Sequence, residues 1–140
     1  MACKVLAIVQ ARVSSTRLPG KVLKKVNGKP LIEILFHRLS KSKKIDEIIL
    51  ATSESSENDS LANLIKKRGY DVFRGSENDV LGRYFEAANK YQPKSVVRIT
   101  GDCPIIDSAI IDEVISFYEK ENVDYASNIN PPTYPDGLDV

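Results

Sequence analysis

The residues best placed for chemistry lie between Gln10 and Lys21, in the run Gln-Ala-Arg-Val-Ser-Ser-Thr-Arg-Leu-Pro-Gly-Lys. It gathers Arg12, Arg17 and Lys21 with three hydroxyl residues in one short segment. Guanidinium groups grip phosphate oxygens in pairs, and a lysine ammonium neutralises charge developing on them. Ser14, Ser15 and Gly20 let main-chain N–H groups come close to an anion. Such a loop suits a triphosphate. It is not a Walker A loop, which opens on glycine and follows its lysine with Ser or Thr at a helix start. Here Val22 follows Lys21, and G-x-G-x-x-G occurs nowhere in the chain.

A second segment, Arg98-Ile-Thr-Gly-Asp-Cys-Pro104, ends an apolar run with a glycine and a carboxylate. A carboxylate at a strand's end, facing a phosphate-binding loop, suits Mg²⁺, which takes carboxylate and phosphate oxygens together. Asp102 is therefore the candidate metal ligand, and Arg12, Lys21 and Asp102 form the candidate catalytic set. Asp107 reads as a helix cap. Cys103 reads as packing, because a thiolate beside Asp102 is disfavoured. Asp136 and Asp139 could face a second substrate or the metal, although a Pro-Asp-Gly turn accounts for Asp136 alone. His37 is the only histidine and sits mid-helix without a catalytic partner. With Cys3 and Cys103 far apart and no C-x-x-C pair, neither a zinc site nor a Cys–His pair has enough parts.

These segments need a scaffold that brings them together. Lys4–Gln10, Glu47–Thr52, Asp71–Arg74, Ser95–Thr100 and Val123–Ser127 read as strands. Helices are expected from Pro30 with Leu31, Leu35 and Leu39, and from the polar caps before Leu61, Leu64 and Ile65, closed by Gly69. A third, capped by Asp79, presents Leu81, Phe85 and Ala88. A fourth, capped by Asp107, presents Ile110, Ile111, Val114, Ile115 and Tyr118. Alternating strands and amphipathic helices imply parallel pairing through right-handed crossovers, hence a doubly wound, Rossmann-like α/β sheet. Ligands of such sheets sit beyond the carboxyl ends of the strands. The loops over residues 11–29, 53–58, 75–79 and 101–107 all follow strands and share that edge. The 140 residues read as one domain. The run Asn128–Val140 holds three prolines and stops as another strand would begin, as in the N-terminal portion of a longer protein.

The formal charge of +1 hides an asymmetry. Residues 1–44 carry 11 Lys/Arg against one acid, Glu33, a balance of +10; residues 45–140 carry 9 against 18, a balance of −9. A basic first third points to a polyanion, either a nucleoside triphosphate or a nucleic acid. Residues 11–44 hold a single aromatic, Phe36, so the stacking platforms of single-strand binders are missing. The apolar runs are too short to cross a bilayer, and no signal-peptide pattern precedes the first strand, which points to the cytoplasm and argues against a structural disulfide.

The basic segment resembles the signature A-R-x-x-S-x-R-L-P-G-K of the sugar-acid cytidylyltransferases, which make CMP-activated sialic acid and CMP-activated 3-deoxy-manno-octulosonate. The branch of spore-coat polysaccharide biosynthesis proteins is similar in three further stretches: Arg74–Tyr84, Arg98–Pro104 and Thr133–Val140. The likeness spans essentially the whole chain. It implies a nucleotide-diphospho-sugar transferase-like fold and an enzyme that uses CTP and Mg²⁺ to activate a sugar for polysaccharide synthesis. It implies that Ala11, Arg12 and Lys21 hold the phosphates, with Ser14, Ser15, Arg17 and Thr100 among the nucleotide contacts. Leu81 and Gly82 fall near the base, where Val80-Leu-Gly-Arg83 replaces the G-T or S-G-T of the sugar-acid members. Asp102 matches the aspartate of the family's G-D-x-P motif, and the family's second metal-binding aspartate falls beyond Val140. The rival readings are a glycosyltransferase, which would usually carry a D-x-D motif that is missing here, and a nucleotide-binding module that is catalytically incomplete. The acceptor sugar and the oligomeric state, a homodimer being one option for a longer protein, are not written in these residues.

Overall fold

A computed structural model describes residues 4–140; Cys3 lies outside them. The elements run β1 (Val5–Gln10), a 3₁₀ turn (Lys21–Leu23), β2 (Lys25–Val26), β3 (Lys29–Pro30), α1 (Leu31–Leu39), β4 (Glu47–Ser53), a 3₁₀ turn (Ser56–Asn58), α2 (Asp59–Lys67), β5 (Asp71–Gly75), α3 (Val80–Tyr91), β6 (Ser95–Thr100) and α4 (Ser108–Glu121). The main sheet has the order β5-β4-β1-β6, and every pairing in it is parallel. The expected doubly wound arrangement is the observed one.

Burial explains the layers. Strand residues alternate between two faces, and here both faces are apolar and covered. Val5, Ala7 and Val9 face Leu35, Phe36 and Leu39 of α1, Leu61 and Ile65 of α2, and Ile111 and Ile115 of α4 in one cluster. Leu6 and Ile8, with Ile49 and Ala51, face Tyr84 and Ala87 of α3 in the other. The chain therefore runs from β1 outward through β4 to β5 over one face. It then returns through α3 on the opposite face to place β6 on the other side of β1.

Three expectations need correction. The polar stretch after β1 contains a hairpin, β2–β3, turning on Asn27 (φ 48°) and Gly28 (φ 78°). Two left-handed residues in succession are the type I′ signature, and the Asn-Gly dipeptide was the signal for it. Helix α3 is rotated from the expected phase: Arg83, Tyr84 and Ala87 are buried, whereas Leu81 is 80% and Phe85 70% exposed. Its start is fixed by Asp79, whose carboxylate accepts the Gly82 N–H at 2.7 Å. The phase that follows puts Tyr84 inward, where its hydroxyl donates to the Ile99 carbonyl at 3.3 Å. Finally, residues 123–127 form no strand. The Ser127 hydroxyl donates to the Val140 carbonyl, and the Asn128 amide bonds Leu138 and Val140, so this segment is tied to the chain's end.

The long connection after β1 is anchored from below. Asn58 is fully buried, and its side-chain oxygen accepts the Val13 N–H at 2.8 Å while its amide donates to the Ser53 hydroxyl at 2.7 Å. Asn58→Ala leaves the Val13 N–H without its acceptor and Ser53 with only the Ser55 N–H, and should destabilise the fold by about 1–3 kcal/mol. Urea unfolding of the two proteins measures this, and an unchanged midpoint would mean that Asn58 does not anchor the loop.

Candidate active site

The carboxyl ends of β1 and β6 lie side by side, with Gln10 opposite Thr100. The chain leaves β1 toward β4 on one side and reaches β6 from the other, which opens a crevice between them. The two loops leaving this point touch. The Gly101 N–H donates to the Gln10 carbonyl at 2.7 Å. A Cβ at Gly101 would stand 2.5 Å from the Ala11 Cβ and 2.8 Å from the Gln10 oxygen, so only glycine fits.

The basic loop folds back on itself. Gly20 adopts φ 67° and donates its N–H to the Val13 carbonyl at 2.9 Å, a left-handed conformation that glycine adopts without strain. Val22 is buried and pins the following 3₁₀ turn into the core. Lys21, the first residue of that turn, thereby reaches the acidic loop: its Nζ stands 3.8 Å from Asp102 Oδ2. Both side chains are about half-exposed, so the pair adds little to stability and remains open to a ligand. The acidic loop is held by Ile106, fully buried, and by Arg38, whose Nε donates to the Ile106 carbonyl at 2.6 Å.

The other expected residues divide. Arg12 is exposed at the edge, and Arg17 is exposed further along the loop. The Ala11 N–H donates to the Ala51 carbonyl at 3.3 Å, extending the β1–β4 ladder by one residue. Ser15 Oγ accepts the Leu18 N–H, while the buried Ser14 hydroxyl has no partner among the described residues. Thr100 Oγ1 lies 3.3 Å from Cys103 Sγ. Gly82 is required by the cap, since a Cβ there would fall 2.3 Å from an Asp79 oxygen; Leu81 projects from the first turn of α3. Burial pushes the Cys103 thiol pKa up, the Thr100 hydroxyl pulls it part of the way back, and the Asp102 and Asp139 carboxylates add smaller upward pushes. The shift favours the protonated thiol at Cys103, and Asp139 belongs to the same neighbourhood as Asp102. His37 lies on α1, exposed, away from this edge.

Sequence reasoning missed Asn58, Gly101 and Arg83. The first two carry no local signal, because their roles arise from contacts across the sheet. Arg83 sits at a core-facing position of α3 with 1% exposure. Its place four residues after Asp79 reads in sequence as an ordinary helix-surface ion pair.

Fold and site together define an α/β nucleotidyltransferase-like domain, with a basic and an acidic loop meeting at the switch point of a parallel sheet. Residues 6–135 match the family model for cytidylyltransferases, and the chain belongs to that family. It is 39% identical over 132 residues to the spore coat polysaccharide biosynthesis protein SpsF of Bacillus subtilis, covering 91% of this chain and 55% of that protein. It is 32% identical over 114 residues to a 3-deoxy-manno-octulosonate cytidylyltransferase of Geobacter sulfurreducens, covering 80% of this chain and 44% of that one. The solved structure of a cytidylyltransferase from Leptospira borgpetersenii superposes with a TM-score of 0.91 at 36% identity, over 98% of this chain and 58% of that one. The chain thus spans about half the length of the curated relatives it matches. No helix among the described residues is long and apolar enough to cross a membrane.

Gly101→Ala should destabilise the fold by about 1–3 kcal/mol, because two backbones must part to admit the methyl group. The exposed Asp102→Asn should leave thermal stability near wild type. Equal melting temperatures for Gly101→Ala and wild type would contradict the close approach of the two loops.

Proposed function

We propose that this chain is the nucleotide-binding portion of a Mg²⁺-dependent cytidylyltransferase that transfers CMP from CTP to a sugar, an acidic one, in surface polysaccharide synthesis in the cytoplasm. The observation that carries the reading is Lys21 facing Asp102 at 3.8 Å across the crevice. A lone basic loop would suit any anion. A cation and a carboxylate opposed at one switch point suit a polyphosphate and the metal that accompanies it.

In the reaction a sugar hydroxyl oxygen attacks the α-phosphorus of CTP, and the bond from that phosphorus to the bridging oxygen breaks. Pyrophosphate leaves with the bonding electrons, and the hydroxyl proton passes to solvent or to a base of the whole enzyme. Such transfer depends on positioning and charge stabilisation and needs no covalent protein intermediate. That agrees with a thiol held protonated at Cys103. Arg12 and Lys21 would orient the triphosphate and stabilise charge on the departing pyrophosphate.

The donor set fits Mg²⁺. Among the described residues no three ligating side chains converge. Mg²⁺ does not need such a cage, because it retains waters and is held by one or two carboxylates plus substrate phosphates. Asp102, half-exposed at the mouth of the crevice, would be its protein ligand. Bound there, the ion would neutralise charge on the phosphates.

A thermal-shift panel of CTP, UTP, ATP and GTP, with and without Mg²⁺, tests the reading. CTP at about a hundred times its Kd should stabilise the chain by about 2.7 kcal/mol, a shift of several degrees. Lys21→Ala should reduce the shift under all conditions, whereas Asp102→Asn should abolish only its Mg²⁺-dependent part. Absence of stabilisation by every nucleotide would overturn the nucleotide reading. A preference for another nucleotide would overturn CTP.

A further inference from the structure

Arg83 is the largest fully buried side chain among the described residues, with 1% exposure. Its stem packs against Gly75 at the end of β5, where a Cβ would lie 3.3 Å from the Arg83 Cγ. Nη1 donates to the Ser76 carbonyl at 2.5 Å, so the guanidinium sits at the mouth of β5, on the edge that bears the active site. Among the described residues, Nε and Nη2 are buried with no hydrogen-bond partner and Arg83 joins no ion pair. The nearby Arg74 shows what a structural arginine looks like in this fold. Its three guanidinium nitrogens bond Ser53, Asp59 and Ser55.

Buried polar groups are nearly always satisfied, and an unpaired buried cation is strongly unfavourable. Methionine would pack over Gly75 as well. A second cation aggravates the position. After burial, the largest influence pulling the Arg83 pKa down is Arg12, and Tyr84, Glu77 and Asp79 offset it in part. In the sheet order β5-β4-β1-β6, the cations Arg83, Arg12 and Lys21 follow one another along a single edge. The unpaired buried hydroxyls of Ser14 and Thr52 belong to segments reaching the same edge.

We infer that Arg83 is a phosphate ligand of the nucleotide: its free Nε and Nη2 donors, together with Arg12, grip the polyphosphate from the β5 side while Lys21 grips it from the β6 side. This rests on the crevice being a nucleotide site. The fork of Nε–H and Nη2–H matches two oxygens of one phosphoryl group. The anion supplies the direct ion-pair partner that Glu77 and Asp79, which act on Arg83 only at longer range, do not.

Calorimetric titration of the 140-residue chain with inorganic pyrophosphate, CTP and cytidine tests this in wild type, Arg83→Met and Arg83→Lys. Arg83→Met should weaken pyrophosphate and CTP by about ten- to a hundredfold, the effect of losing charge-assisted hydrogen bonds. Cytidine binding should stay unchanged, and Arg83→Lys should fall between the two. The ligand-free melting temperature of Arg83→Met should match or exceed wild type, since an unsatisfied charge is removed. Pyrophosphate binding by Arg83→Met at wild-type strength would overturn the assignment, and so would a selective loss of cytidine, which would make Arg83 a base contact. A fall in the ligand-free melting temperature would also overturn it, making the arginine structural. Failure of the nucleotide reading looks different: wild type itself would bind neither pyrophosphate nor CTP.

Discussion

Strand β1 is hydrogen-bonded along both edges, by β4 on one side and β6 on the other, and residues Val5–Val9 are buried. The rest of the molecule is arranged around that double pairing. Because both neighbours run parallel to β1, all four strands deliver their following loops to one end. Because the connection to β4 departs over one face and β6 is reached over the other, the loops beside β1 diverge and leave a crevice. The contact of Gly101 with Gln10 and Ala11 sets the width of that crevice at its floor.

A loop of about twenty residues after a strand would ordinarily be mobile and poorly suited to holding charges in register. After β1 it is fixed at several points by groups that are not themselves charged. Val13 is held by Asn58, Gly20 closes back on Val13, Val22 enters the core, and the Leu31 N–H reaches the Lys24 carbonyl at 2.8 Å. The loop's basic residues therefore project from an ordered frame. This is what precise placement against a phosphate demands. Arg38 performs the same service from α1 for the acidic loop through the Ile106 carbonyl.

The sheet was legible because its signal is local and strong: apolar runs in β1 and β4 have no competing period, and alternation with helices leaves one fold class. The Gln10–Lys21 and Gly101-Asp102 segments were legible for a related reason, since chemistry-bearing residues sat directly after strands. The hairpin was missed although Asn27-Gly28 signals it, because so short a ladder, two residues a side, has no hydrophobic pattern to draw attention to it. The misses arise where tertiary geometry overrides pattern. Residues 123–127 have strand-like composition but form no ladder, and Ser127 bonds the Val140 carbonyl instead. In α3 the expected face, Leu81, Phe85 and Ala88, gave way to Arg83, Tyr84 and Ala87 in the phase that the Asp79 cap and the sheet below set. The segment holding Gly101 was legible, but its close approach to Ala11 was not, nor was the anchoring role of Asn58, because each matters for an atom more than forty positions away.

The phase of α3 is also where the structure departs furthest from the ordinary rule that apolar side chains go inward and charges outward. A phenylalanine faces outward and an arginine inward, within two residues of each other. Rotating the helix to reverse them would free the guanidinium and bury the ring, yet the Asp79–Gly82 cap and the Tyr84 hydroxyl bond both oppose that rotation. Glycine at 82 is needed for the cap, and glycine at 75 leaves room for the arginine stem, so two small residues accommodate one unfavourable charge. Sequences in which local and global preferences agree are the rule, and their exceptions concentrate at functional sites. The exception in α3 lies at the sheet edge that already carries the basic and acidic loops. Packing and capping fix the phase of this helix, but they do not account for a buried, half-bonded arginine under the influence of Arg12.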